Sequence, residues 1–563
     1  MSFVWPLIRV DALILRHPRA CLALLAFAVF ALVTHGDFAD NDTARRLQVT
    51  HSLWTEAPPV AAADLGSAKL SAITAWELTN PLYCDLPGRG GAIYGPFGLG
   101  QSLVMLPGDI LASALLAAAP QLERATAGGG KNIEAILVNV LTFPLLSAAG
   151  LVLSFELLLL LRFTPGVALG AALLLLVATT FAVYMQDVEE NGQIYLCYVA
   201  SLVFALRCPQ RGWASNGLIA GGFAGFNLLF KVTNVVYLPA LFGLAAYLRL
   251  KEKSERTQAA AGARGVLEVA CFTSLRLGPP IILALGIDRW YQHDRFGDWT
   301  GTFLRQCVDA FARLGNFPAD YPLGYDKLAG FLGPLVSGDK SVFLFDPFLI
   351  FGAIFFAFYF RRMSGSQKLV LLGTGIAFLG ILAAFAGTYW WNGSSRAWGP
   401  RHHLVPVELM CLLAFAYALR EFSRFKPLLR MLVALNMGVA MIVQGLALPM
   451  SPIIESRQLM LGDSLGVLPL MRARNLFYMA RGEFDRPSLT HNDPIIADAA
   501  RDRVDRILAF RLTDYVPQAS AASAQAAWLA LALILASVGA LIFFAAVHGE
   551  KTASDLYLRD RGT

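Results

Sequence analysis

Apolar runs of about 20 residues, the length an α-helix needs to cross a hydrocarbon core, recur along most of this chain. They fall near 20–35, 135–161, 166–185, 193–206, 214–230, 233–248, 268–287, 342–360, 369–387, 404–419, 429–448 and 525–546. The pattern predicts an all-α polytopic membrane protein with about twelve transmembrane helices. One more run, Gly100 to Pro120, is apolar enough to compete, and its role fixes the parity of every later loop. If it stays on one side, Arg162, Arg207 and Arg211 share the cytoplasmic face with Arg249, Lys251, Lys253, Arg256 and Arg264. Arg361, Arg362, Lys368, Arg420, Arg424, Lys426 and Arg430 join them, as the positive-inside rule requires. If it crossed, all of these would face outward. Gly100–Pro120 is therefore expected to lie in the outer interface, and Pro107 and Asp109 within it suit that position.

This topology puts both termini inside and leaves longer outer segments near 36–134, 186–192, 288–341 and 449–524, plus a short outer turn at 388–403. It divides the chain into a transmembrane module over 1–450 and an outer segment of unassigned role at 449–524. A last helix at 525–546 and a cytoplasmic tail at 547–563 complete it. Interfacial helices are expected in the first outer loop. The composition agrees: 56% of residues are hydrophobic and 15% charged, against about 25% charged in soluble chains. A soluble enzyme with a single anchor is excluded. The net charge of +6 carries no argument for a nucleic-acid partner, because in a membrane protein the placement of Lys and Arg matters more than their sum. Arg9, Arg16 and Arg19 precede the first apolar run as in a signal peptide, but no small-x-small site follows, so a retained signal-anchor is expected. Cys84 and Cys307 are the cysteines on the outer, oxidising side, and a bridge between them is expected.

The polar chemistry gathers on that outer side. Asp37, Asp40 and Asp42 follow the first span, and a carboxylate at the mouth of a span is a functional candidate because it is costly to desolvate. Ala44, Leu47, His51 and Trp54 recur at helical spacing, so Asp42 or Thr43 opens an amphipathic helix. Asp42 is then either a helix cap or a general base, with Asp40 as the alternate. Asp40-x-Asp42 also has the form of a divalent-metal site, but a lone instance does not favour one; a divalent metal is possible and no other cofactor is predicted. Late in the chain, Tyr389-Trp390-Trp391-Asn392-Gly393-Ser394-Ser395-Arg396-Ala397-Trp398-Gly399-Pro400-Arg401-His402-His403 crowds cations at the head of a span. Aromatics at this depth are ordinary interface anchors; Arg401, Arg396 and His402 are not explained that way. Cations there suit a phosphate on which negative charge grows. Lys231 and Lys340 are further phosphate candidates, and Asp187, Glu189 and Glu190 form an acidic outer turn. Tyr94-Gly95-Pro96-Phe97-Gly98-Leu99-Gly100-Gln101 allows a sharp turn or close backbone approach.

A first span followed by an outer acidic motif, the Tyr94–Gly100 segment and Trp398-Gly399-Pro400-Arg401 together resemble bacterial GT-C glycosyltransferases, the superfamily of protein O-mannosyltransferases and lipid A aminoarabinose transferases. The resemblance covers the layout of residues 15–450, with residue matches only in short patches. It implies an enzyme of the bacterial inner membrane with its site facing outward. Such an enzyme inverts the anomeric centre as it moves a sugar from a polyprenyl-phosphate donor to a glycan, lipid or protein acceptor. Asp42 or Asp40 would be the base. Arg401, Arg396, His402, Lys231 and Lys340 would hold the donor phosphate, and Glu189, Glu190, Tyr94 and Trp398 would contact substrate. Relatives carry Asp-Glu where this chain has Asp42-Thr43, which leaves the choice of aspartate open. The alternatives are a ligase or polymerase moving a whole lipid-linked oligosaccharide, and a flippase. Against the flippase, no internal repeat is visible, and Arg276 and Glu408 are the obvious ionisable residues within spans.

Overall fold

The computed structural model describes residues 16–33, 41–59, 86–95, 97–122, 133–186, 189–257, 263–314, 320–393, 397–448, 453–494, 496 and 518–548. Helix is found within each of the twelve predicted runs. The first, α1 (Pro18–Val33), leads to α2 (Asn41–Ser52), then to a hairpin of β1 (Leu86–Pro87) and β2 (Ile93–Tyr94), antiparallel with Leu86 opposite Tyr94. Next come α3 (Gly100–Ala118), α4 (Ile133–Leu160), α5 (Pro165–Ala178), α6 (Phe181–Gln186), α7 (Asn191–Arg211) and α8 (Trp213–Phe230). They are followed by α9 (Leu238–Thr257), α10 (Ala263–Phe296), α11 (Phe303–Leu314), α12 (Lys327–Val336), α13 (Val342–Phe345), α14 (Phe348–Tyr359), α15 (Gly365–Phe385), α16 (Leu404–Glu421) and α17 (Pro427–Ala447). The chain ends with α18 (Ile453–Met460), α19 (Leu468–Ala480), α20 (Pro487–Thr490) and α21 (Gln518–His548). Among the described residues, 9 helices are long and apolar enough to cross a membrane. One of these is α3, the run expected at the interface, while α1 and α5 are apolar but shorter.

The core forms around α5, which is apolar on every side and buried over nearly its whole length, as a helix wrapped by other helices must be. It packs against α4, α16, α17 and α21. The predicted run at 166–185 does not continue as one helix. It breaks at Thr179–Thr180, where the Thr180 N–H donates to Asp346 Oδ1 at 2.8 Å and its hydroxyl reaches Asp346 Oδ2 at 3.0 Å and Glu408 Oε1 at 2.8 Å. These buried carboxyls take donors that helix continuation would have used internally.

A second seam joins α8 to α10. Gly217, Gly221 and Gly225 recur every four residues and so share one helix face. A Cβ on Gly221 would collide with the Leu277 carbonyl oxygen, and one on Gly225 would lie 2.7 Å from the Pro280 oxygen. Without a hydrophobic drive between helices in lipid, such close approach supplies the packing. Gly221→Val is therefore expected to destabilise by about 1–3 kcal/mol, lowering the thermal midpoint of the detergent-solubilised protein. Gly222→Val, where a Cβ meets nothing within 4 Å, should leave that midpoint nearly unchanged.

Between the first and second predicted spans, α2 and α3 lie side by side. Ser102 Oγ donates to the Arg46 carbonyl at 2.9 Å and Thr50 Oγ1 to the Ser102 carbonyl at 3.2 Å. Leu47 packs with Met105, Ala112 and Phe143 as its spacing predicts. The polar face of α2, however, is not solvated: Thr43, Arg45, Arg46 and Thr50 are buried. The described part of 449–524 folds as a helical lobe, with an apolar core of Ile454, Met479, Leu489 and Ile496. Within it Arg472 pairs with Glu455 at 2.8 Å, both fully buried. The lobe joins the rest through the Leu468 N–H donating to the Gly338 carbonyl at 3.1 Å. Cys307 is disulfide-bonded, and Cys21, Cys197, Cys208, Cys271 and Cys411 are free thiols. Cys84, its expected partner, lies outside the described residues.

Candidate active site

Four separate stretches of chain bring their charges to one place. The first is α2. Asp42 lies in its first described turn and Arg46 follows one turn later, so the two share a face. The second is the start of α7, where Glu190 takes the cap position without using its side chain as a cap. That leaves the carboxylate free, close to the positive end of the helix. The third is Lys231, just past the end of α8 in extended conformation. There the chain turns out of the helix, and Asn234 Nδ2 pins the break by donating to the Asn227 carbonyl at 2.9 Å. The fourth is Arg401, in the tight turn Arg401–His403 that opens α16. Gly399 precedes it with φ of 77°, a left-handed conformation that favours glycine, and a Cβ there would lie 2.9 Å from the Phe345 ring.

Glu190 pairs with Arg46 at 2.7 Å and with Lys231. Arg401 pairs with Glu189, which also accepts from Asn191 Nδ2 at 3.2 Å. Asp42 lies within the electrostatic reach of Arg46, Arg401, Glu190 and Glu189. Three carboxylates thus meet three cations, all but Asp42 held in ion pairs. Burial would lift the pKa of Glu190, but Arg46, Lys231 and Arg401 overcome it and hold the carboxyl well below the usual carboxylate range. Asp42 goes the other way. Burial raises its pKa, Arg46 and Arg401 pull it back only in part, and the two glutamates add to the rise. The cluster therefore holds one firmly ionised glutamate, Glu190, beside an aspartate whose burial favours proton uptake.

The Tyr94–Gly100 segment builds one wall. Phe97 lies under the Arg46 guanidinium, 4.1 Å from ring centre to Cζ. A Cβ on Gly98 would strike the carbonyl oxygens of Leu229 and Phe230, so the segment presses against the end of α8 beside Lys231. Tyr94 itself faces elsewhere, edge-on to Phe296 at 5.9 Å. Lys340 is buried, and its Nζ donates to the Ala397 carbonyl at 2.6 Å. Burial pushes its pKa down to about 7, with Asp339, Arg401 and Glu189 as the nearby charges. His402 stacks on Phe385 at 4.1 Å and its Nε2 meets the Trp390 carbonyl at 3.1 Å. Trp398 is buried against Phe345 at 5.1 Å, and its carbonyl accepts from the Tyr184 hydroxyl at 2.8 Å. Of the sequence candidates, the structure gathers Asp42, Glu189, Glu190, Lys231 and Arg401 in one cluster, sets Lys340 and His402 at its edge, and uses Tyr94 and Trp398 in packing. Asp40, Asp187 and Arg396 lie outside the described residues. Sequence reasoning missed Arg46 and Phe97. The spacing of Arg46 four residues after Asp42 was the available signal for the first.

No protein-family model matches this chain, and no curated protein does. Among solved structures, the chain is similar to ArnT from Cupriavidus metallidurans bound to undecaprenyl phosphate, at 14% identity and a TM-score of 0.40 over 96% of this chain and 78% of that one. The apo state of the same protein gives 13% identity and 0.40 over 94% and 76%. The apo oligosaccharyltransferase of Archaeoglobus fulgidus gives 14% identity and 0.39 over 77% and 54%. Likenesses at this level assign neither an activity nor a role to any residue here.

Proposed function

We propose that this protein is a multi-pass inner-membrane glycosyltransferase whose site faces outward. In this reading α3 lies in the outer interface, and both termini are cytoplasmic. The enzyme transfers a sugar from a polyprenyl-phosphate donor to an extracytoplasmic acceptor with inversion. The observation that carries the reading is one largely buried cluster in which Asp42, raised in pKa, lies in the electrostatic reach of Arg46 and Arg401 while Glu190 and Glu189 hold Arg46, Lys231 and Arg401 in ion pairs.

The charges support the chemistry. A phosphodiester donor carries one negative charge, and the cluster with Asp42 ionised is neutral. Asp42 takes the proton of an acceptor hydroxyl. The oxygen attacks the anomeric carbon, the bond from that carbon to the phosphate oxygen breaks, and the electron pair leaves with the phosphate. The phosphate then carries two negative charges and Asp42 none, so the net charge of the site is unchanged. Arg401, Lys231 and Arg46 face the growing charge with donors already in place. Glu189 and Glu190 hold those cations in position before the donor arrives.

Incubation of the purified protein with a panel of short-chain polyprenyl-phosphate monosaccharides and a membrane-extracted acceptor fraction tests this. Release of polyprenyl phosphate with a sugar product of inverted configuration is expected from at least one member. Turnover of lipid-linked oligosaccharides alone would replace the reading with the ligase. Failure to turn over any donor while one is carried across vesicles would replace it with the flippase.

A further inference from the structure

Away from the charged cluster, three helices of the first outer loop and its flank converge on a different set of side chains. His51 ends α2, Asp109 sits in the middle of α3, and Glu134 begins α4. One ligand atom from each lies within 4.8 Å of the others. His51 Nδ1 is 3.2 Å from Asp109 Oδ2 and 3.8 Å from Glu134 Oε1. A tetrahedral ion with bonds of about 2.0–2.1 Å spaces its ligand atoms about 3.3 Å apart, so small side-chain movements would close the set.

Asp109 points to a missing partner. It is wholly buried in an apolar helix, and its Oδ1 has no hydrogen-bond partner. A sealed carboxylate oxygen left unpaired is costly, and a cation on that carboxylate removes the cost. The surroundings have the character of an outer shell. Trp54 Nε1 donates to Asp109 Oδ2 at 2.7 Å and Ser113 Oγ to Glu134 Oε1 at 3.0 Å, which fixes both carboxylates. His51 and Glu134 keep about a third of their side-chain surface exposed, at 34% and 30%, so an ion can enter and retain a water.

We propose that His51, Asp109 and Glu134 bind one divalent transition-metal ion. One imidazole with two carboxylates makes zinc the fitting ion. It lies roughly 14 Å along α2 from Asp42, too far to touch the reacting atoms. Its effect is to tie the helix that carries Asp42 and Arg46 to α3 and α4.

The test uses the full-length protein in detergent, stripped with EDTA, desalted, and then given zinc chloride or manganese chloride. The wild type should retain one zinc per chain after a second desalting. Its thermal midpoint should rise by about 2 °C at a hundredfold excess over the dissociation constant. His51→Ala and Glu134→Gln should each lose both responses, whereas His491→Ala, in the outer lobe, should keep them. No retained zinc and no thermal response in the wild type would overturn the site. So would equal retention by His51→Ala, which would place the ion elsewhere. Both readouts are independent of sugar transfer, so the metal site and the proposed reaction stand or fall separately.

Discussion

Asp42→Asn is expected to lower kcat by about 10²–10⁴-fold, the usual contribution of a general base, while leaving donor affinity within a fewfold of wild type. The substitution keeps shape and removes only the proton-accepting charge. Because Asp42 is disfavoured as an anion by burial, the variant should fold at least as well as the parent. The linkage sign follows. A carboxyl whose folded pKa is raised opposes folding above its unfolded pKa, so Asp42→Asn should slightly raise the thermal midpoint at neutral pH and have no such effect below about pH 4. The rate of the wild type should fall on the acid side at a higher pH than an unperturbed aspartate would give, as Asp42 takes up its proton. Single-turnover assays across pH, with unfolding curves on the same samples, check both halves. A fully active Asp42→Asn protein would remove Asp42 as the base. It would leave Asp40 as the remaining sequence candidate, to be tested by the same substitution.

The parts of this site that were legible in the sequence are those that depend on local pattern. Span placement follows from hydropathy, and helix was found at every predicted run. Asp42, Glu189, Glu190, Lys231 and Arg401 all lie in the polar stretches between apolar runs. What could not be read are consequences of pairing across long stretches of chain. The break at Thr179–Thr180 depends on Asp346 and Glu408, and nothing near the break announces it. The ion pairs tie Glu190 back to Arg46 and forward to Lys231, so each residue's role is fixed only by its partners. Trp398 illustrates the converse. An aromatic in a motif-like run suggests a sugar contact, but the chain spends this ring on packing against Phe345. Arg45 and Arg46 likewise follow a helical pattern whose polar face should be wet, yet both are buried, Arg46 against Phe97 and Glu190.

The second large effect is expected at Arg401. Arg401→Ala should lower kcat by about 10²–10³-fold, as loss of one preorganised donor to a developing anion does elsewhere. This substitution also strands Glu189, which is left largely buried without its cation, so part of any loss could reflect a disturbed site. A pair of controls separates the two causes. Glu189→Gln in the Arg401→Ala background removes the stranded charge and should restore the thermal midpoint toward wild type, because a broken pair costs more than a deleted one. It should not restore kcat, since no donor returns to the leaving phosphate. Arg401→Lys should recover only part of the rate: it keeps the charge but loses the planar fork that two phosphate oxygens would accept. The acid limb adds an independent signature. Arg401 lowers the pKa of Asp42, so neutralising position 401 should move the limb to higher pH, whereas Arg401→Lys should leave it close to its original place. If the double variant regained turnover along with stability, Arg401 would be a structural partner of Glu189, and Lys231 and Arg46 would be left to hold the phosphate.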